Sequence, residues 1–238
     1  MVVAHPDDEI IGAGNYLACL PEDERKQATI VYATGGVPRD RRFAHEVGFA
    51  TREEYAEARR RERDAALQLA GLSPDQCLDL GYTDQEVCFE IWELVARLSG
   101  VVRQADVVLT HAYEGGHPDH DACALACRHV VGDDPKLMEF AGYHRGPNGL
   151  VVHEFLAGCD LPVSILELNA EQRARKQRMY DCHRSQQRVL QAFSTAHEKF
   201  RAAPAYDFRK PPHAGTLHYE TLGWPITGDV WREAVARA

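Results

Sequence analysis

Residues 28–34 read Ala-Thr-Ile-Val-Tyr-Ala-Thr, and Gly35 and Gly36 follow directly. A short run of β-branched and aromatic residues that ends at glycines is typical of a strand buried in a parallel sheet. Thr51-Arg-Glu-Glu54 has the pattern of a capping box, so we expect a helix from there to about Ala70, with Gly71 as its stop. This part of the chain therefore predicts a strand followed by a helix.

The same alternation continues along the whole chain. Further strands are predicted at residues 1–4, 77–80, 105–110, 138–143, 150–155 and 163–168. Further helices are predicted at residues 86–98, 119–131 and 169–193. This order indicates an α/β fold with a mostly parallel sheet flanked by helices and a C-terminal helix and loop extension. We expect a single domain over residues 1–238, with the α/β core at about 1–168 and a helix and ordered tail at 169–238.

The amino-acid composition argues against several classes of protein. The 238 residues carry a net charge of −9, which argues against nucleic acid or an anionic membrane as a partner. No apolar run approaches the roughly 18 residues that span a bilayer, and the first residues lack the pattern of a secretory signal. Seven cysteines fit no compact disulfide framework, and Cys123 and Cys127 are expected to be buried on a helix. A cytoplasmic location is expected, and an oligomer is possible.

Two polar motifs follow predicted strands. His5-Pro6-Asp7-Asp8 comes after the first strand, and His117-Pro118-Asp119-His120 comes after the strand that ends at Thr110. Because ligands of parallel α/β sheets bind beyond the carboxyl ends of the strands, we expect both motifs at the same edge. Two imidazoles and one carboxylate would leave a coordination position open for water, which a catalytic metal needs. The residues therefore indicate a metal-dependent hydrolase.

Each motif also has a purely structural interpretation. The acids after Pro6 could stabilise the start of the next helix, and the second motif could be a polar turn capped by Asp119. Either motif alone would be weak evidence for a metal site. Their complementary donors at corresponding positions of the sheet favour the metal site.

The motifs resemble those of the PIG-L/LmbE-like family of zinc-dependent de-N-acetylases. Further resemblance is carried by Arg59-x-x-Glu62 with Leu69-Ala-Gly71, and by Lys176 with His183-Arg-Ser-Gln186. The likeness covers most of residues 1–190. It implies a single PIG-L/LmbE-like domain with a Rossmann-like fold. It also implies removal of an acetyl or other acyl group from an N-acylated amine, in an N-acetylglucosamine unit or a related small molecule.

The resemblance also assigns roles to residues. His5, Asp8 and His120 become the ligands of one Zn²⁺ per chain, Asp7 the general base, and His117 the group that stabilises the oxyanion. Asp7, with an ordinary pKa of about 3.9, is expected to be ionised and to accept a proton from the zinc-activated water. His117 is expected to be protonated and to meet the negative charge that develops on the carbonyl oxygen.

Three further residues are candidate substrate contacts. The resemblance makes Arg59 a substrate-binding arginine, although without it Arg59 would be assigned to the surface. Some relatives place a tyrosine two residues before His117, where this chain has Gly115, and Tyr113 lies two residues further back. His183 shares a helical stripe with Met179 and is either a hydrogen-bonded core residue or a substrate contact. His111 is a candidate for orienting a metal ligand.

Two other functions remain open from the sequence. Two histidines and a carboxylate also form the facial triad of non-haem Fe(II) oxygenases, although the long helices here do not suit their commonest all-β setting. A non-catalytic nucleotide-binding α/β module would account for the strand-helix order but would leave the paired motifs unexplained.

Overall fold

The computed structural model describes residues 1–237, and Ala238, the end of the predicted tail, lies outside the described residues. The strands are β1 (Val2–Val3), β2 (Ile30–Pro38), β3 (Cys77–Asp84), β4 (Val108–His111), β5 (Leu137–Phe140), β6 (Tyr143–Gly146), β7 (Gly149–Val152), β8 (Ser164–Glu167) and β9 (His197–Ala202). The helices are α1 (Asp8–Cys19), α2 (Glu22–Gln27), α3 (Arg42–Glu46), α4 (Arg52–Leu69), α5 (Ile91–Val102), α6 (Pro118–Val131), α7 (Ala170–Cys182), α8 (Gln187–Leu190) and α9 (Gly228–Arg237). The predicted α/β class is confirmed.

The chain divides into two compact units, and neither is continuous in sequence. The first comprises Met1, Val3–Asp84 and Ile165–Glu198, and the second comprises Val2, Gln85–Ser164 and the residues from Lys199 onward. This division differs from the sequence boundary near residue 168. That all of these residues form one functional domain stays a prediction.

The first unit is built on the sheet with strand order β1-β2-β3. β2 and β3 are parallel, with Ile30 opposite Cys77. Apart from Gly35, every residue of β2 is buried, as the apolar run at residues 28–34 predicts. Backbone hydrogen bonds from Val31 to Met1 and from Thr34 to Ala4, each of 2.9 Å, join β2 to the first residues of the chain. His5 therefore lies two residues after the end of β1, close to the expected position.

Helix α4 begins with the predicted capping box. The Thr51 hydroxyl accepts a hydrogen bond from the Glu54 amide at 3.1 Å, and the Glu54 carboxylate accepts one from the Thr51 amide at 3.3 Å. Gly71 follows the helix with a positive φ of 74°, a conformation that glycine adopts without a steric cost. The helix therefore begins and ends where the sequence indicates.

The second unit contains the parallel pair β4 and β5, with Val108 opposite Leu137, and β5 pairs antiparallel with β9. The strand order of this sheet is β4-β5-β9-β8, and β8 and β9 each contain residues of both units. β6 and β7 form a separate antiparallel hairpin. Helix α6 buries Cys123 and Cys127, as expected, and all seven cysteines are free thiols.

The predicted helix at residues 169–193 is interrupted. α7 ends at Cys182, and His183 has a ψ of 68°. The following turn instead binds α4: Ser185 donates to the Glu62 carboxylate at 2.9 Å through its amide and at 2.6 Å through its hydroxyl, and Gln186 donates to the Tyr55 hydroxyl at 2.7 Å. These tertiary hydrogen bonds replace those that a continuous helix would make. Helical periodicity does not reveal them.

Other differences lie at the strand ends and in the tail. The strands predicted at 138–143 and 150–155 are β5 followed by the β6–β7 hairpin. Strand β9 lies in a segment where the sequence analysis predicted no strand. Helix α9 lies in the tail that was predicted to be ordered loop. Among the described residues no helix is long and apolar enough to cross a membrane.

Candidate active site

The predicted site residues of the first unit lie in the turn between β1 and α1. His5, Asp7 and Asp8 are all buried, although each carries an ionisable side chain. The Asp8 carboxylate accepts a hydrogen bond from the His5 amide at 2.7 Å, and its Oδ2 lies 3.3 Å from His5 Nδ1. Asp8 is thus held by His5, whereas the carboxylate of the adjacent Asp7 is held by Arg59.

Asp7 has a backbone conformation that is rare for a residue other than glycine. Its φ is 134° and its ψ is −25°. Such a residue is strained and persists only when its surroundings hold it. Arg59 provides this support, because its Nη2 donates to the Pro6 carbonyl at 2.7 Å and to the Asp7 carboxylate at 3.1 Å, while its Nη1 donates to the Gly36 carbonyl at 2.7 Å.

The structure thus places Arg59 in the interior, whereas the sequence alone suggested a position at the surface. The side chain is buried, and both terminal nitrogens bind protein groups. Gly36 leaves the space for it, since a Cβ there would lie 2.0 Å from Arg59 Nη1. Arg59 therefore positions Asp7, and the predicted contact with substrate stays a prediction.

Burial changes the acidity of Asp7. Loss of hydration raises the pKa of its carboxyl to about 7, and the attraction of Arg59 opposes that rise. The ordinary pKa assumed from the sequence is therefore wrong for this environment. A pKa near 7 suits a general base that works close to neutral pH.

Glu9 and Asp84 complete the surroundings of the turn. The Glu9 carboxylate accepts a hydrogen bond from the Asp7 amide at 3.0 Å, and burial raises the Glu9 pKa to about 8. Asp84, the last residue of β3, lies 3.1 Å from His5 Nε2 through its Oδ1. A carboxylate on one ring nitrogen fixes the orientation of an imidazole and directs the other nitrogen to a metal. In His5 that other nitrogen is Nδ1, on the side of Asp8.

The second unit holds the other motif at the start of α6. His117 is the N-cap residue, and its Nδ1 accepts a hydrogen bond from the Asp119 amide at 3.2 Å. Accepting this bond requires a lone pair on Nδ1, so the ring in this geometry is neutral and carries its proton on Nε2. The sequence analysis expected a protonated His117, and this contact contradicts that state. A neutral ring still offers an Nε2–H donor.

Two buried acids of α6 fix the loops that precede the helix. Asp119 accepts hydrogen bonds from the amides of Gln85, at 2.7 Å, and Val87, at 3.2 Å. Asp121 accepts from the amides of Glu114, at 3.2 Å, and Gly115, at 3.1 Å. These bonds tie both loops to the first turn of α6. Burial raises the pKa of Asp121 to about 8, although its two backbone hydrogen bonds lower it.

Aromatic rings surround the two histidines of α6. The His120 ring stacks on His111, with centroids 3.9 Å apart, and lies edge-on to Tyr143 at 5.2 Å. The His117 ring lies edge-on to Trp224 at 4.9 Å. His111 thus contacts the predicted ligand His120 directly. Ring packing thus helps to set the positions of both imidazoles, and a hydrogen bond also holds His117.

Tyr113, predicted as a substrate contact, lies in the core of the second unit. Its hydroxyl donates to the Lys210 carbonyl at 2.8 Å, and its ring packs against Phe208 and Trp231 with centroids 4.7 and 5.6 Å away. The side chain is buried. Burial and a satisfied hydroxyl give Tyr113 a packing role, and its contact with substrate stays a prediction.

His183, the other predicted contact, is fully buried in the first unit. Neither ring nitrogen has a hydrogen-bond partner, so it is not the hydrogen-bonded core histidine considered from the sequence. Burial, followed by repulsion from Arg59 and Arg63, lowers its pKa to about 3. His183 is therefore neutral at physiological pH. A direct contact with substrate stays a prediction.

Sequence reasoning missed Glu9 and Asp84. Glu9 directly follows the first motif, and its position next to Asp7 and Asp8 was the signal that could have identified it. Asp84 follows the apolar part of a predicted strand, and the carboxyl end of a parallel strand is where site residues are expected. The predicted strand ended at Leu80, four residues too early, so this position was not recognised as a strand end.

The family model described as PIG-L, GlcNAc-PI de-N-acetylase, matches residues 1–131. This match covers more than half of the chain and includes both motifs. The chain belongs to the PIG-L family. The predicted family is thereby confirmed, and the protein is a hydrolytic N-deacetylase. A search of curated proteins found no match.

Three solved structures show the same fold as this PIG-L family member. The A40926 pseudoaglycone deacetylase Dbv21 is 18% identical, with a TM-score of 0.60 over 86% of this chain and 98% of that chain. The zinc-inhibited form of teicoplanin deacetylase Orf2 is 15% identical, with a TM-score of 0.58 over 84% and 96%. N,N'-diacetylchitobiose deacetylase from Pyrococcus horikoshii is 20% identical, with a TM-score of 0.58 over 84% and 81%.

The low pKa of His183 predicts a dependence of stability on pH. The unfolded chain binds a proton on this residue below about pH 6.5, whereas the folded chain does not until about pH 3. Stability should therefore fall with pH through this window, by about 2 kcal/mol from this group between pH 7 and pH 5. His183→Leu should lose this component in urea unfolding at the two pH values. An unchanged difference between pH 7 and pH 5 would contradict the assignment.

Proposed function

We propose that this PIG-L family member removes an acetyl group from the amine of a sugar-containing small molecule by zinc-assisted hydrolysis. The observation that carries the proposal is the buried turn at residues 5–8, where two acids and a histidine are held by different contacts. Burying three ionisable groups together is costly unless hydrogen bonds, opposite charges or a metal ion compensate them, and such clusters are typical of functional sites. The deacetylases of similar fold support the acyl group, and the family description supports an N-acetylglucosamine derivative.

His5, Asp8 and His120 are proposed to hold one zinc ion. In the first unit, His5 Nδ1 and Asp8 Oδ2 lie 3.3 Å apart. Two ligands of a tetrahedral zinc with bonds near 2.0–2.1 Å are separated by about 3.3 Å, so this pair fits the group. A deacetylase with the same fold has a zinc-inhibited form, which supports metal binding in such a fold, with zinc acting there as an inhibitor. When bound, zinc lowers the pKa of a water molecule and polarises the substrate carbonyl.

Asp7 is proposed as the general base. Its carboxylate is held by Arg59 rather than being committed to the metal, and its pKa of about 7 allows it to take a proton and return it near neutral pH. A cation nearby would favour the ionised form of this carboxyl. The proton that Asp7 accepts from water is the one that the departing amine requires.

His117 is proposed to stabilise the oxyanion. With Nδ1 occupied by the Asp119 amide, the donor that remains is Nε2–H. A hydrogen bond from a prepositioned neutral imidazole strengthens as negative charge develops on the carbonyl oxygen. The capping hydrogen bond favours this orientation of the ring. No proton needs to be stored on His117 in this mechanism.

A sugar ring is the proposed neighbour of the acylamino group. Tyr143, His218 and Trp224 are partly exposed aromatic residues of the second unit that contact the two histidines or one another, with His218 5.7 Å from Tyr143. Partly exposed aromatic rings offer flat apolar surfaces, and the carbon-bound hydrogens of a pyranose can pack on them. This arrangement supports a glycosylated small molecule over a free amino acid amide.

A panel of N-acetylated sugars tests the reaction. We expect the zinc-loaded protein to release acetate from N-acetylglucosamine conjugates and diacetylated disaccharides, measured by proton NMR. Asp8→Asn is the control and should release none above background. The proposal would be contradicted if the zinc-loaded protein released no carboxylic acid from any N-acylated sugar, nucleoside or aminoglycoside.

The ligand assignment predicts the metal content of three variants. His5→Ala, Asp8→Ala and His120→Ala should each bind zinc at least about tenfold more weakly in calorimetry, because one of three protein ligands is missing. The control Tyr143→Phe keeps the ring beside His120 and should bind zinc as the unsubstituted protein does. Stoichiometric zinc in all three Ala variants would overturn the assignment. Full activity in the absence of oxygen should also separate the hydrolase from an Fe(II) oxygenase.

The roles of the adjacent acids can be separated. Asp7→Asn should keep zinc affinity and lose about 10²–10⁴-fold in kcat, because a positioned general base is removed. Asp8→Asn should instead lose zinc affinity. Acetate release at saturating zinc measures the first effect, and calorimetry measures the second. Near-normal kcat in Asp7→Asn would exclude its role as the base.

A further inference from the structure

Helix α1, whose first residue is Asp8, is interrupted in its middle. Ala13 has a φ of −148° and a ψ of 19°, which are not helical values. In a continuous helix the Asn15 amide would donate to the Ile11 carbonyl, and the Tyr16 amide to the Gly12 carbonyl. The interruption frees these groups inside the first unit. A buried backbone group without a partner is costly, so the freed groups need other partners.

A buried ion pair provides partners at the interruption. Lys176 Nζ of α7 donates to the Ile11 carbonyl at 2.8 Å. The Glu198 carboxylate of β9 accepts from the Asn15 amide at 2.8 Å and from the Tyr16 amide at 2.9 Å. Lys176 and Glu198 also bind each other, with Nζ 2.8 Å from Oε1. The ammonium group thus takes the free carbonyl, and the carboxylate takes the two free amides.

The pair is completely shielded from solvent. The side chains of Lys176 and Glu198 have an exposed fraction of 0% each. Burial lowers the pKa of Lys176, while the attraction of Glu198 raises it. Such a pair adds little to stability compared with apolar residues of similar size, because two charges must be removed from water. Its use at the helix interruption indicates a role that apolar residues cannot fill.

The segments on either side of the interruption have different tasks. Residues Asp8–Gly12 continue directly from the turn that carries His5 and Asp7, whereas Asn15 is anchored to α7. Arg175 donates to the Asn15 side-chain carbonyl at 2.7 Å, and the Asn15 side-chain amide donates to the Gln172 carbonyl at 2.9 Å. The second segment is therefore fixed to α7, and the ion pair fixes the first segment to the second.

We infer that Lys176 and Glu198 are positioning residues that set the orientation of the first turn of α1 and hence of the Asp8 carboxylate. This inference rests on the proposed role of Asp8 as a zinc ligand. The pair acts through backbone atoms: Nζ holds the carbonyl of Ile11, three residues after Asp8, and the carboxylate holds the amides beyond the interruption. Neither residue contacts substrate or metal in this role.

Three variants separate positioning from simple charge neutralisation. Lys176→Met and Glu198→Gln each leave one charge buried without its partner, and both should lower the melting temperature. The double variant Lys176→Met/Glu198→Gln contains no unpaired charge and should recover part of that temperature. Its methionine cannot donate to the Ile11 carbonyl, however. We therefore expect the Kd for zinc, measured by calorimetry, to stay raised about tenfold or more in the double variant.

Amide hydrogen exchange reports on the same contact without metal. In Glu198→Gln, the amides of Asn15 and Tyr16 should exchange about tenfold faster or more. Amides in the middle of α4 should show only the change in exchange rate that the lower global stability causes. Glu139→Gln is the matched control, because Glu139 forms the buried ion pair with Arg201 at 2.6 Å in the second unit. It should lower the melting temperature but leave zinc affinity and the exchange of both α1 amides unchanged.

The outcomes distinguish this inference from the proposed function. If Asp8→Asn loses zinc while the double variant binds zinc as tightly as the unsubstituted protein, the positioning role is wrong and the ligand assignment stands. If Asp8→Asn keeps its zinc, the ligand assignment is wrong, and the positioning role inferred for Lys176 and Glu198 is wrong as well. Unchanged exchange at Asn15 and Tyr16 in Glu198→Gln would show that the carboxylate does not hold α1.

Discussion

The buried guanidinium group of Arg59 is the constraint on which the first half of the candidate site depends. It binds the carbonyls of Pro6 and Gly36 and the Asp7 carboxylate at once. Without a rigid planar donor at this point, the strained backbone of Asp7 would lack its support, and the buried carboxylate its positive charge. Since Asp8 is the next residue, its direction depends on the same anchor.

Several buried charges in this protein bind backbone groups that regular secondary structure leaves without partners. Asp119 holds the amides of Gln85 and Val87, and Lys176 and Glu198 hold the interrupted α1. A carboxylate can accept several amides at once, and its hydrogen bonds are charge-assisted and therefore strong. Irregular backbone next to both motifs can thus be as rigid as a helix. Precise placement of ligands and proton-transfer groups requires such rigidity.

Much of the fold and the identity of the site residues could be predicted from the sequence. The strand-forming run at 28–34, the capping box at Thr51 and the two motifs after strands all depend on local residue types and spacing. The interruption at His183 was not predictable, because it depends on hydrogen bonds from Ser185 and Gln186 to α4. Helix α9 was recognisable from the sequence, since Val230, Trp231, Ala234 and Val235 recur at helical spacing, but it was grouped with the Pro-rich and aromatic tail before it.

The sequence by itself determined the α/β class, the family and the residue types available for metal binding and proton transfer. These properties follow from short patterns, because side-chain chemistry and strand-helix order do not depend on distant contacts. Tertiary structure alone decided the pKa of Asp7, the packing role of Tyr113, the tie between Asp84 and His5, and the neutral state of His117. Each of these depends on burial or on a hydrogen bond that folding creates, and no residue carries that information in its own identity.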